Sequence, residues 1–192
     1  MRASLASLAV LALATSAAAQ TGITGSDHDF NGKFGLTQIC LPCHTPHKAD
    51  TTIDAAPLWN HEVSSQTFTM YTTLSGRTGD VDGPSKLCLS CHDGVTAIDS
   101  FGGQSGTQLM LGSEVIGTDL SDDHPIGITY VADTDFHTVA EVEGAGLPLF
   151  NVGSDVDRVE CGSCHNPHDD SNGHFLRVDN TGSNLCLTCH IK

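Results

Sequence analysis

Aromatic side chains are scarce: one Trp, two Tyr and seven Phe in 192 residues. Such residues supply much of the bulk of an ordinary core, so their shortage, with twenty glycines, argues for a loop-rich chain whose interior is filled by something besides side chains. Positive charge is also short, at 8 Lys and Arg against 23 Asp and Glu, a formal −15. That balance argues against nucleic acid and anionic membrane as partners; we read the acidity as solubility in a crowded or saline exterior. No segment has the roughly 18 continuous apolar residues that a membrane span needs. Paired carboxylates in a recognisable setting, a phosphate-cradling glycine loop and a nucleophile motif are all missing.

The N-terminus, "MRASLASLAVLALATSAAAQ", has one positive residue at Arg2, a short apolar run and a small-residue stretch ending near Ala19. It reads as a secretory signal peptide over residues 1–19. No cysteine lies near the expected cleavage point, so the sequence offers no lipoprotein-type anchor. The expected destination is extracellular, with the periplasm as the alternative.

The eight cysteines fall into four copies of one pattern: "CLPCH" at 40–44, "CLSCH" at 88–92, "CGSCH" at 161–165 and "CLTCH" at 186–190. In an exported chain, a cysteine pair with a two-residue spacer reads as a disulfide, half a zinc site or a c-type haem attachment, and a histidine directly after every pair favours the last. Zinc would join two pairs into one cage. Cys164 and Cys186 have 21 residues between them, close to common zinc spacing, but Cys43 and Cys88 have 44, and zinc leaves four histidines in register unexplained. Disulfides are the usual expectation outside the cell, yet a bond across a two-residue spacer is redox-labile and has no use for the histidine.

The pattern therefore predicts four covalent haem c groups, attached through Cys40, Cys43, Cys88, Cys91, Cys161, Cys164, Cys186 and Cys189. His44, His92, His165 and His190 become the proximal iron ligands. Seven histidines remain, of which His28, His47, His61, His124 and His168 are the candidates for four distal positions, and His137 and His174 are read as non-ligands. Met70 and Met110 are alternatives that a surplus of histidine makes unnecessary. His47 and His168 follow the proximal histidines by three residues in "CHTPH" and "CHNPH". A segment that short cannot pass around a macrocycle edge, so each must serve a neighbouring haem; we expect His47 to serve the His92 haem and His168 the His190 haem.

Both "CLPCHTPH" and "CGSCHNPH" are followed by a second attachment motif, an internal duplication with one haem pair per half. The expected organisation is an N-terminal arm at 20–39, a first haem-pair half at 40–103, an inserted small β-rich segment at 104–160 and a second haem-pair half at 161–192. The expected fold is mostly irregular, with short helices at the haem motifs, a small β element around "HPIGITYV" and "HTVAEVE", and a core formed by stacked haems. The haem attached at Cys186 and Cys189 has little chain after it to cover it, and the arm carries His28. A neighbouring subunit's arm could meet that face, a head-to-tail contact.

"HDF", "CLPCHTPH", "PLWNH", "LCLSCHDG", "DDHPI", "CGSCHNPH" with "FLR", and "LCLTCH" together resemble multihaem cytochromes c of the doubled CxxCH class, most closely the tetrahaem cytochromes that polymerise into extracellular nanowires. The resemblance implies a file of bis-histidine haems carrying electrons, with one axial histidine supplied by an adjacent subunit, redox proteins or extracellular acceptors as partners, and no enzymatic activity. A soluble periplasmic electron shuttle is the alternative, and a multihaem oxyanion reductase, which needs an iron with an open distal position, the second alternative.

Overall fold

The computed structural model describes residues 22–53 and 56–192. The expected signal peptide, and residues 20 and 21 of the arm, lie outside the described residues.

Regular structure is sparse and short. In chain order it comprises β1 (Thr69–Met70), α1 (Gly83–His92), β2 (Asp119–Leu120), β3 (Ile128–Thr129), α2 (Val139–Gly144), β4 (Phe150–Val152), β5 (Asp155–Val159), α3 (Cys161–Cys164), a 3-10 turn (Thr181–Ser183) and α4 (Asn184–Cys189). Helices at three of the four cysteine motifs and two small sheets match the loop-rich architecture expected from the composition, but "HTVAEVE", expected in the β element, is instead capped by Thr138 and forms α2. At the first motif a turn replaces the helix, and Pro42, which has no backbone N–H to donate, lies inside it. The turn keeps the feature that the motif needs: His44 N donates to Cys40 O at 2.8 Å, as His165 N does to Cys161 O at 3.0 Å and His190 N to Cys186 O at 2.9 Å.

β5 is the centre of an antiparallel sheet in the order β3, β5, β4, while β1 pairs in parallel with β2. Tyr130, Val142, Leu147 and Val159 form a small buried cluster against this sheet, extended by Phe136, Leu185 and Cys189. At about 1.5–3 kcal/mol for each fully buried large side chain, the cluster anchors α2 and α4 but leaves the rest of the chain with little apolar filling. α2 begins with a reciprocal cap, Glu141 N donating to Thr138 Oγ1 while Thr138 N donates to the Glu141 carboxylate. Gly83, at φ +45°, opens α1 where Val152 leaves no room for a Cβ.

Polar groups around a buried guanidinium tie α1 and the loop before it to β5 and α3. Arg158, 1% exposed, pairs with Asp80 and Asp82 from the first half and with Asp155 and Glu160 from β5 and its end. Glu160 accepts from the Ser85 hydroxyl of α1, and Ser85 Oγ accepts from Cys161 N at 3.0 Å. Burial, partly offset by Ser85 and Arg158, pushes the Glu160 carboxyl up to about 6.

Candidate functional site

The first and third motifs are held by two copies of one latch. Thr45 N donates to Leu58 O at 2.9 Å and Asn60 N to Cys43 O at 2.9 Å; in the second copy Asn166 N donates to Phe175 O at 2.7 Å and Arg177 N to Cys164 O at 2.9 Å. The side chains repeat the match: Asn60 Nδ2 donates to Leu41 O, and Arg177 Nε donates to Gly162 O, each at 2.6 Å. Leu58 and Phe175, both left-handed at φ 56° and 57°, occupy equivalent places. That conformation costs on the order of 1–3 kcal/mol for a non-glycine residue, and in both copies it accompanies delivery of a backbone carbonyl to the proximal imidazole.

Those carbonyls fix the histidine chemistry. A carbonyl only accepts, so an imidazole nitrogen bonded to one must donate, which leaves the other nitrogen of a neutral ring as a lone-pair ligand. His44 Nδ1 meets Pro57 O at 2.8 Å, His92 Nδ1 meets Glu114 O at 2.7 Å and His165 Nδ1 meets His174 O at 2.8 Å. His61 and His124 are held the same way by Glu62 O at 2.7 Å and Pro125 O at 3.0 Å, and His28 by Pro167 O at 3.5 Å. In all six, Nε2 is the nitrogen left to coordinate.

Three of the four proximal histidines face a second imidazole. His44 and His168 have ring centroids 6.0 Å apart, His28 and His92 6.2 Å, and His124 and His190 6.4 Å. With metal–imidazole bonds of about 2 Å, two rings on opposite sides of one metal stand roughly 6 Å centre to centre, so each pair has the spacing of an axial ligand pair. Burial holds His28, His168 and His190 below the usual imidazole range, with the neighbouring histidine adding to the effect; a neutral ring is the form that binds metal. His28 also stacks on Phe175 at 4.3 Å.

Of the five candidate distal residues, the structure thus brings His28, His124 and His168 to proximal histidines. The partners differ from local expectation: His168 meets His44 rather than His190, and His28 of the arm lies in its own chain against His92. His61 is buried, 3% exposed, with Nε2 3.5 Å from Cys91 Sγ, and His47 is exposed. Among the described residues no second imidazole stands against His165 at the range the other three share. His137 lies 3.9 Å from Glu141, and His174 contributes its carbonyl rather than its ring.

All eight cysteines are free thiols. Burial pushes Cys43 and Cys164 up to about 11 and Cys91 to about 12. For these three that is the opposite of the lowered value on which a redox dithiol depends, while hydrogen bonding lowers Cys161. The second and third motifs also meet, Ser85 of α1 accepting from Cys161 N. Cys40 and Cys186, in the first and last motifs, are exposed. Sequence reasoning missed the carbonyl latch. The signal for the latch was present in "PLWN" and "HFLR", each placed after a proximal histidine.

Free thiols on a helical turn, a pinned proximal imidazole and an opposing imidazole are the donor set that covalent haem c requires. Among the described residues no helix is long and apolar enough to cross a membrane. Residues 154–192 match the family described as the doubled CXXCH motif, and the first two motifs repeat the same pattern outside that match. No curated protein matches the chain. The motifs indicate covalently bound haem c, and the match supports a multihaem c-type cytochrome serving electron transfer rather than catalysis.

Proposed function

We propose that the chain carries four haem c groups, one at each motif, with His44, His92, His165 and His190 as proximal ligands, and that it passes electrons between two exposed ends. The observation that carries this reading is the set of imidazole pairs, His44 with His168, His28 with His92 and His124 with His190, each at the spacing of two ligands on one metal, with Cys40 and Cys186 exposed in the first and last motifs. When bound, haem c supplies an iron that exchanges one electron between its ferrous and ferric states.

The chain's own residues hold each centre fixed. His168, His28 and His124 serve as distal ligands opposite His44, His92 and His190. The Nδ1 bonds to carbonyls fix ring orientation and raise ligand basicity, so electron exchange requires no rearrangement of the side chains. Two neutral imidazoles favour a lower potential than a His/Met pair, and the surplus of carboxylates acts in the same direction by stabilising the oxidised charge.

The exposed His165 is the exception, and it supports assembly. A second copy of the chain supplies its distal ligand, with the exposed His47 as donor, and repetition of that heterologous contact gives an open filament outside the cell. His61 is too enclosed for this role. The soluble periplasmic shuttle is favoured by one observation, that His28 is already committed within its own chain.

Electron microscopy of the native secreted material, paired with carbon monoxide binding, separates the readings. Filaments that ignore carbon monoxide, but that expose one reactive haem per subunit when dispersed, are expected. Dispersed monomers that ignore carbon monoxide would instead identify the shuttle, and a haem that binds carbon monoxide or nitrite in the intact native material would identify a reductase.

A further inference from the structure

The latch of the first motif holds a polar atom that no described residue satisfies. Trp59, the one tryptophan of the chain, is 8% exposed, and its Nε1 is buried without a hydrogen-bond partner among the described residues. A buried N–H left unpaired forfeits its full solvation, and an orphan of this kind points to an acceptor outside the protein. The other polar atoms in the same condition, on Asp82, Arg158 and Glu160, belong to ion pairs; Trp59 has no such partner.

The indole is placed by the latch itself. Its backbone bridges to His44 and Asp50, and its ring stands edge-on to the His44 imidazole at 6.3 Å and 89°. The equivalent position in the second latch is Leu176, which bridges to His165 and has no donor to offer. Packing at this position is therefore met by an aliphatic side chain, and the N–H of Trp59 calls for a separate explanation. The hydrogen-bond acceptors that haem c presents at its edge are its propionate carboxylates.

We propose that Trp59 is a positioning residue whose Nε1–H donates to a propionate of the haem held by Cys40, Cys43 and His44. A hydrogen bond to an ionised carboxylate is short and strong and withdraws part of its negative charge from the iron. It raises the potential of the first haem relative to the third, where Leu176 cannot donate. The inference rests on the haem reading above.

Because the chain has one indole, the test can use the native holoprotein. With 15N in the indole and the irons reduced to the diamagnetic low-spin state, one indole N–H resonance is expected. It should be protected from solvent exchange and should shift as a carboxylate titrates. Solvent exchange at the rate of a free indole, or a position insensitive to pH, would overturn the proposal. In Trp59→Phe, which keeps an aromatic ring, one of the four redox steps moves to lower potential and three stay; four unmoved steps would also overturn it. Pyridine haemochrome analysis of the same sample counts the haems separately, so a failed haem reading shows there as a deficit, whereas a failed role for Trp59 leaves four.

Discussion

The imidazoles of His44 and His168 lie 6.0 Å apart with their planes 20° from parallel, whereas His28 and His92 are inclined at 67° and His124 and His190 at 84°. Near-parallel axial rings separate the energies of the iron dπ orbitals, and near-perpendicular rings leave them close together. The oxidised protein is therefore expected to give two classes of low-spin electron paramagnetic resonance signal: one rhombic from the first motif, and strongly anisotropic signals from the second and fourth. Four identical rhombic signals would count against these pairings.

Removal of a distal ring should open one iron and no more. His168→Ala is expected to make a single haem reactive toward carbon monoxide and to shift one redox step upward, while His174→Ala, which keeps the backbone carbonyl bonded to His165, leaves the optical spectrum unchanged. Titration with carbon monoxide, followed optically, distinguishes the two variants. Equal behaviour would show that His168 is not a ligand.

The pairings were the least legible part of the sequence, for a physical reason. Covalent haem attachment needs its cysteines and histidine within five contiguous residues, so the four motifs can be read directly from the sequence. A distal imidazole needs only to arrive opposite the iron, and His168 reaches His44 from the other half of the chain. Local spacing suggested that His47 and His168 would serve the adjacent motif of their own half. The structure instead crosses the halves, because α1 and α3 meet at their junction, where Ser85 Oγ accepts from Cys161 N. The helical turns at the motifs and a strand in "HPIGITYV" were legible, whereas the alternation of "HTVAEVE" misled: Thr138 and Glu141 cap a helix there. Hidden from the sequence was the Arg158 hub, whose partners Asp80 and Asp82 look like any other surface acids until β5 brings the guanidinium to them.

Asp93, directly after His92, is a buried carboxylate that folding makes more acidic. Burial opposes ionisation, but donors from Ser64, Thr96 and Val95 outweigh it and hold the carboxyl below its usual range. A lowered folded value means that the stabilisation is present above the unfolded value, about 3.9, and is lost as pH falls through the folded one. Asp93→Asn, which turns an amide toward these donors, should cost about 1.5–3 kcal/mol at pH 7, with the difference shrinking below about pH 4. Denaturant unfolding of the holoprotein at both pH values checks this.

Arg158 and Glu160 have the opposite sign. Glu160 ionises near 6, above its usual range, so its net effect on stability is most favourable below the unfolded value near 4.3 and declines as pH rises through about 6. Arg158→Met leaves that charge buried without its partner and should destabilise by about 3–5 kcal/mol, more at pH 8 than at pH 5. Adding Glu160→Gln should recover part of the loss. Thermal unfolding of the single and double variants at the two pH values provides the measurement.

Intact-mass spectrometry of the mature protein from its natural source is the most direct test of four haems. The account predicts the polypeptide mass plus four haem c groups, with peptide mapping placing one at each of the pairs Cys40/Cys43, Cys88/Cys91, Cys161/Cys164 and Cys186/Cys189. A bare polypeptide mass, or any motif recovered with free thiols, would contradict it.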